Sequence, residues 1–184
     1  EPIYWKILLD EIDFENVGFA LKMPQDSLFV RTMLPKTTLK NGVIDLKEAS
    51  YYVKSFGIDN AELAYGPKEE LFLQQIGLQL DSIYYCGKDI CANIEEFVLK
   101  ERSGLELVST EGRIVSDSVL IEIPKFTMKT TASSLDLQTK IGWDVLEMKK
   151  TGVLSAKINA EIGKGDVAKI LGGRDTLFLQ TYPN

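Results

Sequence analysis

Apolar and polar residues alternate with a period of two through most of this sequence. The clearest runs cover residues 17–23, 76–80, 119–123 and 154–162. Because successive side chains of a strand point to opposite faces, each run predicts a strand with one apolar face and one mostly polar face. The predicted fold class is therefore all-β: an elongated, curved antiparallel or solenoid-like sheet with one apolar concave face, β-taco or sandwich-like, with at most one or two short helices.

Turn-forming residues separate these runs at short intervals. Asn41-Gly42 is the sharpest candidate for a two-residue hairpin, because this dipeptide favours the positive φ angles of such a turn. The other predicted turns are Pro24-Gln25-Asp26, Gly66-Pro67, Gly87-Lys88-Asp89, Ser103-Gly104, Glu111-Gly112, Ser116-Asp117, Thr151-Gly152 and Gly172-Gly173.

Helical signals are confined to the last quarter of the chain. Asp166 is placed to cap a short helix from Val167 to Leu171, with Gly172 at its C′ position. Residues 143–150 fit either a further turn of helix or a long loop.

Several predicted strands share a second pattern, with apolar residues at positions i, i+2, i+5 and i+7. Phe56, Ile58, Ala61 and Leu63 form one copy. The other copies are Ile44, Leu46, Ala49, Tyr51; Ile121, Ile123, Phe126, Met128; Ile7, Leu9, Ile12, Phe14; Leu78, Leu80, Ile83, Tyr85; and Ala92, Ile94, Phe97, Leu99. A three-residue step moves side chains to the opposite face of a regular strand, so each copy predicts a bulge or bend that keeps one side apolar. The repetition indicates a degenerate repeat of curved strands.

Composition narrows the possible functions. The net charge is −6 and the basic residues are spread along the chain, which disfavours nucleic-acid binding and charge-driven binding to anionic membranes. The chain has no histidine, so Ser/His/Asp and Cys/His catalytic arrangements are impossible and the commonest metal ligand is missing. No catalytic residue, cofactor site or metal site is predicted, and the protein is expected not to be an enzyme.

The remaining polar candidates have ordinary interpretations. Asp13 and Glu15 share a face of one predicted strand, where solvation is their expected role. A carboxylate pair assembled from distant strands is the enzymatic alternative. Residues 163–166, GKGD, lack the spacing of a phosphate-binding loop and predict a turn into the capped helix. Cys86 and Cys91 are expected to be small, partly buried residues or, alternatively, a disulfide closing the turn between them.

Large aromatic residues mark the apolar face. They are Trp5, Phe14, Phe19, Phe56, Phe97 and Phe126. Two interpretations are open: a packed core, if two halves of the sheet fold onto each other, or a partly open hydrophobic groove, because no long helix is predicted to cover it. The residues predicted to line such a groove are Leu78, Leu80, Ile94, Phe97, Leu99, Ile121, Ile123, Phe126 and Met128.

The sequence resembles the TamB/AsmA-like family of Gram-negative envelope proteins, in the form found in Bacteroidetes. The similarity lies in the strand that opens with WKILL at residues 5–9 and runs to Phe14, and in GIDNAELAYG at 57–66, FVLKERSGL at 97–105, IEIP at 121–124 and AEIGKGDV at 160–167. The resemblance implies an internal fragment of a longer periplasmic protein anchored in the inner membrane. One unit over residues 1–184 is expected, with possible sub-units at 1–66 and 67–184.

The resemblance also implies a function without catalysis. Family members are long β-sheets with an apolar groove, implicated in outer-membrane protein assembly and in phospholipid transport between the two membranes. The implied partners are phospholipid acyl chains or unfolded outer-membrane proteins, and a BamA-like outer-membrane barrel that the parent protein contacts. The alternative function is a closed β-sandwich, an interaction or adhesion module of a cell-surface protein, in which the same apolar residues form the core.

Overall fold

Nine strands and two short helices make up the described part of the chain. The computed structural model describes residues 4–23, 28–66, 71–148 and 151–170. The strands are β1 Lys6–Met23, β2 Leu28–Asp45, β3 Ser50–Tyr65, β4 Leu71–Cys86, β5 Asp89–Glu101, β6 Glu106–Ser116, β7 Leu120–Thr130, β8 Ser134–Gly142 and β9 Leu154–Glu161. Helix α1 is Trp143–Leu146 and lies between β8 and β9, and helix α2 is Lys164–Ile170 and follows β9.

The strands form one antiparallel sheet in chain order. Each strand pairs with the strand before it and the strand after it, so the order is β1-β2-β3-β4-β5-β6-β7-β8-β9. The sheet is not closed, and within the described residues extensive packing occurs only between strands adjacent in sequence. The predicted all-β class with at most two short helices is confirmed, and the open sheet is consistent with the predicted curvature. A closed sandwich is not formed within the described ranges.

The predicted turns fall into three groups. Gly87-Lys88-Asp89, Ser103-Gly104 and Ser116-Asp117 lie at the β4–β5, β5–β6 and β6–β7 connections, and Thr151-Gly152 precedes β9. The turn at Gly66-Pro67 is described only as far as Gly66, where β3 has just ended. Pro24-Gln25-Asp26 and Gly172-Gly173 lie outside the described residues.

Two predicted turns are wrong, because both glycines lie inside strands. Asn41-Gly42 is part of β2, where Asn41 has a φ of 52°. The tolerance of asparagine for left-handed backbone is thus used to bend a strand and not to reverse the chain. Glu111-Gly112 is part of β6, where Gly112 lies opposite Phe126 of β7.

Left-handed residues interrupt the long strands at steps of three residues, of which Ile58–Ala61 and Leu80–Ile83 are predicted steps and the other three are not. Five strand residues have φ angles between 52° and 56°: Asn16, Asn41, Asn60, Gln75 and Ser82. Each lies in a step of three residues. Apolar side chains stand at both ends of this step, except in β2, where the step runs from Leu39 to Gly42. In this conformation a strand changes direction and its alternation shifts by one residue, which returns the next apolar residue to the same face.

The environment of Gly42 shows this directly. A Cβ built at Gly42 would meet the side chain of Leu39 at 3.2 Å and that of Leu9 at 3.2 Å. Leu39 and Gly42 are three residues apart in β2, yet they share a face. β2 therefore contains a step, from Leu39 to Gly42, that the sequence did not predict.

Two further copies of the step coincide with register shifts. The β7–β8 ladder shifts between Ile123 and Phe126, and the β4–β5 ladder has one extra residue of β5 between Ile94 and Glu96. One copy is wrong: Ile44, Leu46, Ala49 and Tyr51 span the β2–β3 turn, which occupies residues 46–49. There the spacing belongs to a chain reversal.

Both helical predictions correspond to short helices with different bounds. Helix α2 already begins at Lys164, so Asp166 lies inside it and is not its N-cap as predicted. Leu171 and Gly172 lie outside the described residues. The alternatives for residues 143–150 resolve to one helical turn, α1, with Lys149 and Lys150 outside the described ranges. Neither described helix has the length and apolar character needed to cross a membrane.

The sheet has almost no sealed core. Among the described residues only Ala61 and Ala64 are apolar and buried. Larger apolar side chains remain half-buried or exposed, because a single layer covers each of them only from the sides. Within the described residues, no second layer covers either face of the sheet.

Candidate functional site

One line of apolar residues crosses all nine strands. Directly paired residues of antiparallel strands have side chains on the same face, so following the pairs from strand to strand shows which residues belong to this line. This central row consists of Ile12, Leu39, Phe56, Leu80, Ile94, Gly112, Phe126, Leu137 and Ile158. With adjacent strands about 4.8 Å apart, a row across nine strands is about 38 Å long.

A second, distal row runs parallel to the first toward one end of the strands. It consists of Ile7, Ile44, Tyr51, Tyr85, Ile90, Ser116, Ile121, Ile141 and Leu154. The rings of Tyr51 and Tyr85 are in contact, with their centroids 5.9 Å apart. The two rows together define what we call the apolar face. They show that the face is continuous from β1 to β9.

All nine residues of the predicted groove lie on the apolar face. Leu80, Ile94 and Phe126 belong to the central row and Ile121 belongs to the distal row. The remaining pairings are Leu78 with Phe97, Leu99 with Leu107, Ile123 with Thr139, and Met128 with Leu135. Every one of the nine is half-buried. They are therefore neither sealed core nor isolated surface residues.

The site is larger than the sequence predicted. Five further members of the central row, Ile12, Leu39, Phe56, Leu137 and Ile158, extend it to both edges of the sheet. Ile12 and Phe56 were visible as members of the three-residue step pattern. Leu39 was hidden by the expected hairpin at residues 41–42, which would have ended its strand.

Phe126 occupies its place because the facing residue has no side chain. A Cβ built at Gly112 would lie 2.8 Å from Cδ2 of the Phe126 ring. The central row thus has one gap in its side chains, and the ring of the neighbouring strand covers it. Gly112, which the sequence predicted to lie in a turn, is thus a strand residue that leaves space for this ring.

The exposure of the apolar face increases toward both edges of the sheet. On the β1 side Trp5, Phe14 and Phe19 are 68%, 50% and 55% exposed, and in β9 Ile158 is 63% exposed. Phe126, near the middle, is half-buried. Within the described residues, these exposures fit the partly open surface, and no packed core is formed around the aromatic residues.

The opposite face, which we call the polar face, carries paired charges. It also has an apolar line that crosses β1 to β6 and ends opposite Glu122 of β7; its members are Leu8, Val43, Tyr52, Tyr84, Cys91 and Val115. Lys40 Nζ lies 2.6 Å from Glu11, and Lys140 Nζ lies 2.9 Å from Glu122. These pairs are solvent-exposed, so each contributes little to stability. They show that this face carries more charge than the apolar face.

Helix α2 is fixed at the end of the apolar face near the β7–β8 turn. Asp166 is 2% exposed and accepts hydrogen bonds from the hydroxyls of Thr130 and Ser133, the latter at 2.6 Å. These hydroxyls, Ser133 first, hold the pKa of the Asp166 carboxyl below its ordinary value. Asp166 therefore attaches the helix to the β7–β8 turn.

A small apolar depression lies beside this attachment. Its volume is about 200 Å³, and Met128, Leu135, Ala160 and Ile162 contribute its apolar lining. It continues the apolar face to the end of β7, β8 and β9.

The polar candidates of the sequence form no reactive arrangement in the described residues. Asp13 and Glu15 lie on the polar face, opposite Thr38 and Lys36 of β2. Both cysteines are free and half-buried, so the disulfide alternative is not formed. Among the described residues no three potential ligands converge on a metal position. No protein-family model, curated protein or solved structure matches this chain.

Proposed function

We propose that this chain is a non-enzymatic periplasmic scaffold whose apolar face shields phospholipid acyl chains during transport between the inner and outer membranes. The observation that carries the proposal is the central row, which crosses all nine strands and is half-buried or exposed on each of them. The resemblance to TamB/AsmA-like envelope proteins supports the same function.

The dimensions of the row suit an acyl chain. The hydrocarbon core of a bilayer is about 30 Å thick, so one acyl chain spans about 15 Å, less than half of the roughly 38 Å central row. A chain lying along the row contacts several strands in succession. When the acyl chain moves from one strand to the next, it replaces contacts with apolar side chains by similar contacts.

The energetics favour reversible contact. Burying one CH₂ group contributes about 0.8 kcal/mol, and a chain on a single-layer sheet is shielded on one side only. Partial shielding keeps the chain out of water without fixing it at one position, as transport requires. The polar face carries exposed ion pairs, and its apolar line ends at Glu122 of β7, so it is shorter than the central row.

Lipid retention by a matched pair of variants tests the proposal. Phe126→Arg places a charge in the central row, whereas Thr127→Arg places the same charge on the polar face, next to it in sequence and opposite Asp136. After expression in a Gram-negative periplasm, we expect the wild type and Thr127→Arg to copurify with phospholipid, measured by mass spectrometry. Phe126→Arg is expected to lose most of it while keeping its β-sheet circular dichroism.

Two results would contradict the proposal. One is equal phospholipid in the two arginine variants. The other is complete unfolding of Phe126→Arg together with unfolding of the smaller change Phe126→Ser, which would indicate that this position is sealed core.

A further inference from the structure

Helix α1 is bound to the turn of a neighbouring hairpin. It follows β8, and its first residue, Trp143, donates two hydrogen bonds to the turn between β6 and β7. The backbone N–H binds the carbonyl oxygen of Val119 at 3.1 Å, and the indole Nε1–H binds that of Asp117 at 2.7 Å. Both the backbone and the side chain thus fix Trp143 to the β6–β7 turn.

The β4–β5 turn also reaches this helix. Its residue Lys88 places Nζ 5.0 Å from the centre of the Trp143 ring and 3.1 Å from Oε1 of Glu147, just after the end of α1. β5 and β8 are not paired, because β6 and β7 lie between them. With adjacent strands about 4.8 Å apart, this contact spans about 14 Å of sheet. We call Lys88, Trp143 and Glu147 the clasp.

The clasp lies next to the distal row of the apolar face. In β5 to β8 this row is within two positions in sequence of the clasp and of the turn that it binds; its members there are Ile90, Ser116, Ile121 and Ile141. Hydrogen bonds fix the spacing of adjacent strands, but the twist between them varies from about 10° to 35° in sheets. A contact between the ends of β5 and β8 therefore selects one accumulated twist across these strands.

The clasp is held by weak contacts. A helix of one turn is not stable by itself in water, so α1 depends on its neighbours. The side chains of Lys88 and Glu147 are 46% and 41% exposed, and exposed ion pairs and cation–π contacts contribute little. Within the described residues, β8 is the only strand with substantial contact to α1. The clasp can thus open while the strand pairing of β5 to β8 stays intact.

We propose that the clasp is a releasable device that holds β5 to β8 at one twist along the distal row. When it opens, the row between Ile90 and Ile141 changes its twist. The closed clasp keeps this part of the apolar face in contact with a bound acyl chain, and opening releases that part of the chain. This regulatory step rests on the function proposed above, whereas the clasp itself does not.

Hydrogen exchange in lipid-free protein tests the clasp. The reporters are the indole N–H of Trp143 and the amide N–H of Glu147, which donates to the Trp143 carbonyl at 2.9 Å. Lys88→Met removes both contacts of the ammonium group, so both reporters should exchange about two- to five-fold faster. Lys88→Arg keeps the charge and should resemble the wild type. Lys40→Met, which removes an exposed ion pair between β1 and β2, should leave both reporters unchanged.

Two further measurements show whether the clasp acts through charge and on the distal row. Salt screens exposed charges, so added salt should speed exchange at Trp143 in the wild type and hardly in Lys88→Met. The methyl signals of Ile90 and Ile141 should shift in Lys88→Met, and that of Ile7, at the β1 end of the row, should not. Unchanged exchange at Trp143 or an unchanged Ile141 signal in Lys88→Met would overturn the proposal.

Phospholipid retention after periplasmic expression tests the regulatory step. Lys88→Met should copurify with about two-fold less phospholipid than the wild type and Lys40→Met, because fewer CH₂ groups are shielded. Phospholipid in the wild type and an equal amount in Lys88→Met would overturn regulation by the clasp. Wild-type protein without any phospholipid would instead refute the function proposed above, and with it the regulatory step, while hydrogen exchange still decides the clasp.

Discussion

Gly112 and Phe126 show how much one atom matters on a single-layer sheet. The ring of Phe126 occupies the space that a side chain at position 112 would fill, since a Cβ there would lie 2.8 Å from the ring. Gly112→Ala is expected to force the ring aside and to lower the free energy of unfolding by about 1–2 kcal/mol. Urea unfolding followed by circular dichroism measures the effect.

The control for this prediction is Gly165→Ala in helix α2. A Cβ at Gly165 would lie 3.6 Å from that of Ala132, an ordinary contact, and alanine favours the helix. The stability of this variant should be unchanged or slightly higher. Equal destabilisation by both substitutions would show that Phe126 is not seated on Gly112.

Asp166 makes the attachment of helix α2 dependent on pH. Its folded-state pKa is lowered by the hydroxyls of Ser133 and Thr130, so its contribution is fully present above the ordinary value of 3.8. That contribution is lost as the pH falls through the lowered pKa, because protonation removes the charged acceptor. Amide resonances of Gly163 and Ala132 should therefore shift together in this acidic range.

Asp166→Asn provides the matched control for the titration. It retains the shape of the side chain and has no proton to gain, so the acidic transition at Gly163 and Ala132 should disappear. An unchanged transition in Asp166→Asn would assign it to another group.

The bends in the long strands depend on residues that accept left-handed backbone. Asn60 has a φ of 54° between Ile58 and Ala61. A β-branched residue is strained in this region, so Asn60→Val is expected to destabilise the protein by about 1–2 kcal/mol. Asn60→Gly should have little effect or stabilise slightly, because glycine adopts this conformation freely. Thermal unfolding of both variants checks the prediction, and equal losses would refute it.

The sequence predicted the strands well because alternation reports directly on burial of one face. Residues 17–23, 76–80 and 154–161 all lie in strands where period two placed them. The step from Ile58 to Ala61 also proved to be a bend within a strand. These features depend on local spacing, which a sequence displays.

The wrong turn predictions concern residues whose backbone preference is compatible with both a turn and a strand. Asn41-Gly42 favours positive φ in a hairpin, and it uses the same property to bend β2. Gly112 is flexible enough for a turn, and in β6 it accommodates Phe126 instead. Only the partner strand decides between the two outcomes, and partners such as Phe126 are distant in sequence.

At the scale of the whole molecule, the central row crosses all nine strands, whereas the apolar line of the polar face ends at Glu122 of β7. Register alone places Leu80, Ile94 and Phe126 in one line, because each lies opposite the next or opposite Gly112. The candidate site is thus a property of all nine strands together. Its extent could not be predicted from any single strand, since it depends on how successive registers add.

Each face has residues whose methyl groups can report on contact with a lipid. Leu80, Ile94 and Ile123 have methyl groups on the apolar face. Val98 packs against Gly77 on the opposite face and is half-buried like Leu80. These residues are buried to a similar degree but lie on different faces of the sheet. A lipid that contacts only the apolar face should therefore broaden the signals of one set and not of the other.

The most direct test is methyl NMR with a phospholipid carrying a nitroxide near the end of one acyl chain. If the apolar face holds acyl chains, the methyl signals of Leu80, Ile94 and Ile123 should broaden strongly, and the signal of Val98 should persist. Equal broadening on both faces, or none at concentrations where lipid copurifies, would contradict acyl-chain binding by the apolar face.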